Sequence, residues 1–150
     1  MTTDDGRTAA IQELFLEVLR SSGQAKLAVT GTSMLSSIWP GDILEVRRES
    51  AAAISPGEVV LYARNGGFAA HRVIEKVSGP EGPLLVTRGD RLSVSDAPVS
   101  PEELLGRVTA ILRRGRHIDP RLTVRDRVVS WVLARSELFT RLAVRFRNLL

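Results

Sequence analysis

The hydrophobic positions near the start of the chain recur with the spacing of an α-helix. They fall at i, i+3, i+4, i+7 and i+8, at Ile11, Leu14, Phe15, Val18 and Leu19. This spacing predicts a helix with one apolar face over about residues 8–21. Asp4 or Asp5 can cap its first turn, and the Ser-Ser-Gly segment at residues 21–23 can end it. We therefore expect an N-terminal amphipathic helix within residues 1–23.

From residue 24 onward the pattern changes to short alternating or apolar runs separated by turn residues. The runs predict strands at residues 24–29, 42–48, 58–64, 68–78, 84–88 and 106–113, the last of these being the final strand. Asn65-Gly66 favours a hairpin turn, because both residues accept the positive φ angles that a two-residue hairpin needs. A single helical turn is expected at residues 100–103. The predicted fold is mainly β with flanking α-helices, built over residues 24–118 on antiparallel coiled sheets or a partly closed β-barrel.

The end of the chain carries a basic helical pattern. Asp119-Pro120 is a typical helix start, with Asp as the cap and Pro in the first turn. An apolar stripe follows at Val124, Val128, Trp131, Leu138, Leu142 and Leu149, widened by Val132, Phe139 and Phe146. Residues 121–150 hold seven arginines and two acidic residues, a net charge of +5, while the whole chain carries +4. We expect a basic amphipathic helix over residues 119–150.

Three roles are open for this helix. It can pack on the core with its arginines in solvent, or dock onto a partner protein. It can also lie at the surface of an anionic membrane, with its apolar face in the acyl boundary. No DNA- or RNA-binding motif accompanies the arginines, so nucleic acid is not an expected partner.

Composition narrows the class of protein and the chemistry. A chain of 150 residues with 43% hydrophobic and 25% charged residues has the ordinary balance of a globular domain. It has no cysteine, which excludes disulfides, thiolate metal sites and a cysteine nucleophile. No metal or other cofactor is expected. The first residues are acidic and polar, unlike a signal peptide, and no run approaches about 18 uncharged apolar residues. We expect a cytoplasmic protein, in peripheral contact with membrane if residues 120–150 form an interfacial helix.

One serine lies where a nucleophile would be presented. Ser33 follows closely on Gly31, in a bend between two apolar runs. A serine on such a bend, beside free backbone N–H groups, can attack a carbonyl if a base takes its proton. The candidate bases are two histidines, His71 and His117, and two lysines, Lys26 and Lys76. His71 is the strongest candidate because it lies in a predicted strand, and two candidate orienting acids, Asp90 and Asp96, follow it.

The residue types alone leave simpler interpretations open. Ser33 can cap a turn, and His71 can be a hydrogen-bonded histidine at a strand edge. Asp90, directly after Gly89, can stabilise a turn.

The order of five short blocks resembles the signal peptidase I superfamily, to which LexA-type self-cleaving repressors also belong. The blocks are Gly31-Thr32-Ser33-Met34, Gly41-Asp42, His71-Arg72-Val73-Ile74, Thr87-Arg88-Gly89-Asp90 with the further Asp96, and Gly106-Arg107-Val108. Bacterial signal peptidases and LexA-type proteins have a lysine base. The endoplasmic-reticulum, archaeal and SipW-like branch has a histidine there, and His71 makes this chain similar to that branch.

The resemblance implies roles for individual residues. Ser33 would be the nucleophile and His71 the general base, Asp96 matches the acid linked to catalysis, and Asp90 matches the acid of the Gly-Asp pair. The oxyanion- and substrate-binding segment would be Gly31, Thr32, Ser33 and Met34, with the Ser33 N–H and the Thr32 hydroxyl as donors. Two positions depart from the family. Ser36 stands where a proline is usual, and Gly31 stands where some relatives have a hydroxyl residue. A third departure is that no membrane anchor precedes the serine.

The expected function is that of a serine endopeptidase that cleaves an extended peptide or preprotein segment through Ser33, His71 and Asp96. Small residues are expected before the cleaved bond, as the family implies. A catalytically silent peptide-binding module is one alternative. A LexA-like regulatory protein that cleaves itself is another, although the base is not a lysine and no DNA-binding domain is expected ahead of Ser33.

An interfacial role for residues 120–150 predicts that the protein sediments with anionic vesicles. Salt should release it, because screening weakens the attraction between arginines and headgroups. Replacing Arg141, Arg145 and Arg147 with Gln should weaken binding, measured by sedimentation, with little effect on cleavage of a soluble peptide. A tail packed on the core predicts no vesicle binding. Truncation near Asp119 would then cause a large stability loss, because Trp131 and Leu138 would leave apolar surface exposed on the body.

Overall fold

The computed structural model describes residues 3–121, with side chains from residue 6 onward. Its elements, in chain order, are α1 Thr3–Ser22, β1 Gln24–Ala28, β2 Ile43–Arg47, β3 Val59–Arg64, β4 Gly67–Gly79, β5 Gly82–Arg88, β6 Leu104–Arg113 and β7 Arg116–Ile118. The helix predicted over residues 119–150 lies outside this range except for its first three residues. There the Asp119 side chain accepts a hydrogen bond from the Arg121 backbone N–H at 2.8 Å, the contact expected of a helix cap.

The seven strands form one antiparallel sheet. The order is β1-β2-β6-β3-β4-β5, and β7 pairs with β6. The long β4 is shared between two neighbours, because residues 67–72 pair with β3 and residues 72–79 pair with β5. Within the described range, residues 67–71 therefore have no strand on the side that β5 occupies further along. This free edge ends at His71.

The hydrophobic core is centred on β3, which is buried on both faces. Successive side chains of a strand point to opposite faces. Val59 and Leu61 accordingly join a cluster that includes α1 residues, while Val60 and Tyr62 join a second cluster on the other face. None of the four is more than 2% exposed. The second cluster fixes the position of Tyr62, which is close to His71.

The helix α1 packs against the sheet through half of its predicted apolar face. Phe15 and Leu19 are buried, and the Phe15 ring lies 5.4 Å from the Phe68 ring of β4 between centroids. Ile11, Leu14 and Val18 are 51%, 62% and 40% exposed. Within the described residues, the sheet therefore covers only part of the predicted apolar face. A single sheet face contacts a narrower stripe of the helix than the 3.6-residue pattern alone suggests.

The fold class is mainly β with a flanking helix, as predicted, but the sheet of the described residues is single and open. Its two edges are β1 and β5. The prediction of a partly closed barrel or paired sheets is not met, because the segment after β5 runs as a loop. That loop forms no strand of its own, and its one β-bridge to the sheet within the described residues joins Leu85 and Val99.

The strands were predicted with small shifts at their ends, and one was missed. The predicted hairpin at Asn65-Gly66 is confirmed, with φ angles of 54° and 72°. Residues 106–113 are not the last strand, since β6 continues through a second tight turn at Arg114-Gly115 into β7. β7 has only three residues, two of them polar, which is too few to show the alternating pattern of a strand.

Replacing Phe15 with Ala should lower the free energy of unfolding by about 3–5 kcal/mol, because it removes a buried ring and leaves a cavity against Phe68. Thermal or urea unfolding measures the change. The matched control is Leu14→Ala on the same helix, which should change stability by less than about 0.5 kcal/mol since Leu14 is exposed. Equal losses in the two variants would contradict the observed packing of α1.

Candidate active site

Ser33 lies in the loop between β1 and β2, which is closed at its base and fixed at its centre. Val29 and Asp42 close the base, where the Val29 N–H donates to the Asp42 carbonyl at 2.9 Å. Ser33 is half-buried, and the residues that follow it are core residues: Met34, Leu35 and Ile38 are all buried. Because these side chains are held in the core, the loop presents Ser33 at a defined position.

The structure brings Ser33, His71 and Asp96 into one hydrogen-bonded chain. The Ser33 Oγ lies 2.9 Å from His71 Nε2. The other ring nitrogen, Nδ1, lies 2.6 Å from Asp96 Oδ2. A histidine whose Nδ1–H donates to a carboxylate has an unprotonated Nε2, which can accept the serine proton. The order of the three groups is that of a nucleophile, a base and an orienting acid.

Two hydroxyl groups also contact Asp96. The Thr87 hydroxyl donates to Asp96 Oδ2 at 2.7 Å, and the Tyr62 hydroxyl donates to the same oxygen at 3.2 Å. The Tyr62 oxygen lies 3.1 Å from His71 Nδ1. Burial acts to raise the pKa of Asp96, but the hydrogen bonds from His71 and Thr87 outweigh it and hold that pKa below its ordinary value. The carboxylate is thereby kept ionised at neutral pH. Burial also raises the pKa of Tyr62, which stays a neutral donor.

The loop that carries Asp96 is attached to two strands. The Asp96 backbone N–H donates to the Thr87 carbonyl of β5 at 2.8 Å. From β3, Arg64 donates to the carbonyls of Ala97 and Pro98 at 2.8 and 3.1 Å. Arg64 also pairs with Glu103, whose pKa the guanidinium lowers to about 2. Asp96 is therefore placed by backbone contacts on one side and by an arginine on the other.

Asp90 contacts Arg72 rather than His71. Arg72 Nε and Nη2 each donate to one Asp90 oxygen at 2.8 Å, and the two side chains are only 5% and 4% exposed. Ser37, in the loop that carries Ser33, also donates to Asp90. Since His71 and Arg72 are neighbours on one strand, their side chains point to different sides. Arg72 therefore pairs with Asp90, and His71 pairs with Asp96.

The turn at Gly89 packs directly against the backbone of Ser33. A Cβ atom added at Gly89 would lie 2.6 Å from the Ser33 carbonyl oxygen and 3.1 Å from the Ser33 Cβ. The Arg91 N–H donates to that same carbonyl at 3.0 Å. Only glycine allows this approach, so the Gly89-Asp90 turn packs closely against Ser33.

A groove of about 420 Å³ leads to Ser33 and His71. Its two sides are residues 27–31, at and after the end of β1, and residues 68–71 on the free edge of β4. Buried apolar side chains form its floor, and α1 adds Thr8, Ile11 and Gln12 along one wall. None of the described side chains that line the groove is an acid, a lysine or an arginine, so its lining suits an extended segment with apolar side chains.

The segment assigned to oxyanion and substrate binding lies beside this groove. Gly31 is exposed and lines the groove together with Ser33 and Met34, while Thr32 is half-buried. Within residues 3–121, the Ser33 backbone N–H has no hydrogen-bond acceptor. Met34 is 4% exposed, and its sulfur accepts a hydrogen bond from the Asp90 N–H at 3.3 Å. Its main contacts are therefore with the core.

The other candidate bases lie away from Ser33. Lys26 and His117 both pair with Glu45, at 3.2 and 3.5 Å. The Lys76 ammonium donates to the Ala52 carbonyl at 2.8 Å. Among the described residues, no cluster of three His, Asp or Glu side chains could hold a metal ion.

Three residues of the site were not predicted: Tyr62, Thr87 and Arg72. Tyr62 is the only tyrosine of the chain and lies in an otherwise apolar strand. Its polar hydroxyl at a core position was the signal that could have identified it. Thr87 and Arg72 lie inside the blocks of the resemblance, but nothing in the local pattern shows that either is buried.

A comparison of the sequence with models of protein families found no match, and a comparison with curated proteins found none either. In the part of the chain that the structure describes, no helix has the length and apolar character needed to cross a bilayer.

Replacing Asp90 with Asn should lower the free energy of unfolding by about 3 kcal/mol, because it leaves the buried Arg72 guanidinium without its counter-charge. The matched control, Asp119→Asn at an exposed position, should cost much less. Asp96→Asn should also leave stability nearly intact, since Asn keeps an oxygen for the Thr87 and Tyr62 hydroxyls. Chemical denaturation compares the three. A larger loss in Asp96→Asn than in Asp90→Asn would exchange the roles of the two acids.

Proposed function

We propose that the protein is a serine endopeptidase of the signal peptidase type, with a histidine as its base. The observation that carries the proposal is the continuous chain from Ser33 Oγ through both nitrogens of His71 to Asp96, at 2.9 and 2.6 Å. Each distance lies within the range required of a nucleophile and its base without substrate. The resemblance of the five sequence blocks supports the same function independently of these distances.

The proposed reaction has two stages, acylation and deacylation, and in each of them His71 first accepts a proton and then gives it up. Nε2 takes the Ser33 proton as Oγ attacks the carbonyl carbon of the peptide bond, and the imidazolium then gives that proton to the leaving amine. This leaves an acyl group on Ser33. Water, deprotonated by the same Nε2, attacks the ester and releases the acid, and the proton returns to Ser33. The ionised Asp96 stabilises the imidazolium during both steps and is not itself protonated.

The negative oxygen of the tetrahedral intermediate needs donors close to Ser33. The first of these is proposed to be the Ser33 backbone N–H, which has no acceptor among residues 3–121, and the Thr32 hydroxyl is proposed as the second. Gly31 supplies no side-chain donor. Because Gly31 is exposed and lines the groove, it leaves the substrate backbone unobstructed at that point.

The substrate is proposed to be an extended peptide or preprotein segment that pairs with the free edge of β4. In the part of the chain that the structure describes, no strand pairs with this edge along residues 67–71, which end at His71. An added strand there would pass between β4 and residues 27–31, which line the opposite side of the groove. A bound peptide would thus bring β1 and β4 together into the more closed sheet expected of the signal peptidase and LexA fold.

The two alternatives differ from this proposal in what Ser33 does. A silent peptide-binding module would use the groove and leave the peptide intact. A self-cleaving regulator would cut its own chain. Both are distinguished from the peptidase by following the protein and the added peptides in the same reaction.

Replacing Ser33 with Ala should abolish peptide cleavage while the melting temperature stays nearly unchanged, because the hydroxyl contacts His71 and no core group. The measurement is incubation with a library of proteome-derived peptides, followed by identification of new peptide ends by mass spectrometry. His71→Lys should be equally inactive. A lysine at this position would face the ionised Asp96, which favours the protonated amine over a free base.

Ser22→Ala is the matched control, since Ser22 is an exposed serine at the end of α1, and it should cleave as the wild type does. Cleavage that persists in Ser33→Ala would refute the proposed nucleophile. Binding of library peptides without any new ends would favour the binding module. Loss of intact protein mass without cleavage of added peptides would favour self-cleavage.

A further inference from the structure

One carboxylate oxygen of the site receives three hydrogen bonds. Asp96 Oδ2 lies 2.6 Å from His71 Nδ1, 2.7 Å from the Thr87 hydroxyl and 3.2 Å from the Tyr62 hydroxyl. An orienting acid needs only the contact to the histidine. The other two donors therefore call for an explanation of their own.

The two hydroxyls come from different strands and are both immobilised. Tyr62 is on β3 and 2% exposed, and Thr87 is on β5 and fully buried. His71 is on β4, the strand between them. The Tyr62 ring is further held by the Arg64 guanidinium, which lies 5.1 Å from the ring centroid and pairs with Glu103. Asp96, which comes from a loop, is thus held by three adjacent strands.

We propose that Tyr62 and Thr87 are positioning residues, whose hydroxyls hold the Asp96 carboxylate in line with His71 Nδ1 and so maintain the tautomer with a free Nε2 facing Ser33. The catalytic consequence of this inference rests on the proposed function. The tautomer of His71 is a property of the folded protein and does not depend on that function.

The need for such positioning follows from where Asp96 lies. Residues 91–98 are a loop outside the sheet, and Asp96 is only half-buried, with its side chain 19% exposed. A carboxylate that is free to rotate there can turn toward solvent and release Nδ1. The proton of a neutral imidazole then redistributes between its two nitrogens, and a protonated Nε2 cannot accept the Ser33 proton. Two fixed donors on Oδ2 oppose that rotation.

The charged and titratable groups around this contact are few. From the described elements, Tyr62 and Arg64 face it from β3 and Asp96 faces it from the loop, while Ser33 lies on the Nε2 side. Arg72, next to His71, is paired with Asp90. The tautomer is therefore governed by Asp96 and by the donors that hold it.

The test measures the ring nitrogens of His71 directly. Protein with ¹⁵N-labelled histidine is compared by NMR at a pH where the rings are neutral, and the only other histidine, His117, is assigned with a His117→Gln variant. Wild type should show the proton on Nδ1 of His71. Asp96→Asn removes the charged acceptor, so this variant should show the largest shift of the His71 proton from Nδ1 to Nε2.

The double variant Tyr62→Phe/Thr87→Val should lie between these limits, with His71 signals moved toward an average of the two tautomers. Each substitution removes a donor and keeps the shape of the side chain, and leaves no buried donor unpaired, so the fold should be retained. Thr87→Ser keeps the hydroxyl, so His71 should show the wild-type tautomer in this variant. Thr109→Val is the matched control, because Thr109 is exposed and donates only to the Glu45 carbonyl.

With a cleavable peptide, kcat should fall roughly tenfold in Tyr62→Phe alone and in Thr87→Val alone, while KM stays within a factor of about two. Each substitution removes one hydrogen bond to the charged carboxylate of Asp96. Unchanged tautomer signals and unchanged kcat in the double variant would overturn the inference, as would a rise in KM alone. If wild type and variants lack Ser33-dependent cleavage but the tautomer shifts as described, the positioning role stands and the peptidase proposal fails.

Discussion

The buried ion pair between Arg72 and Asp90 is the contact on which the arrangement of the site depends. Arg72 belongs to the strand that carries His71, and Asp90 belongs to the turn that packs on the Ser33 backbone. Ser37, from the loop that carries Ser33, donates to Asp90, and Arg72 also donates to the carbonyls of Gly57 and Pro120 at 2.7 and 3.0 Å. A charge pair this well shielded from water is costly to bury but very costly to break from one side. It therefore fixes three separate segments relative to one another.

A second arginine, Arg113, fixes the base of the loop that carries Ser33. Arg113 of β6 donates to both oxygens of the fully buried Asp42 and to the Ser37 carbonyl at 2.9 Å. The blocks of sequence that resemble signal peptidases thus have a common physical basis. Gly41-Asp42, His71-Arg72 and Gly89-Asp90 are the points where loops are attached to the sheet around Ser33, and only His71 among them takes part in the proposed chemistry.

Sequence reasoning predicted the local elements better than their assembly. The periodicity of α1, the Asn65-Gly66 hairpin and six of the strands are properties of short segments, and short segments carry their own signal. Closure of the sheet depends instead on which strands meet at its edges, and the residues of a single segment do not decide that. For the site, Ser33, His71 and Asp96 could be proposed because their residue types are rare or lie in recognisable blocks. Tyr62 and Thr87 could not, because their roles come from the pairing of β3, β4 and β5, and strand pairing is a long-range property.

The free edge of β4 also limits what the groove admits. Residues 67–71, Gly-Phe-Ala-Ala-His, carry none of the charged or proline residues by which edge strands usually discourage pairing with other chains. The opposite wall, formed by residues 27–31 and by α1, stands across a space of about 420 Å³. The edge of another folded sheet would bring neighbouring strands at about 4.8 Å spacing and side chains on both faces past these walls, whereas a single extended segment brings none. The same geometry that leaves the strand open to pairing therefore favours a single unfolded segment over the edge of a folded sheet, and this limits aggregation through β4.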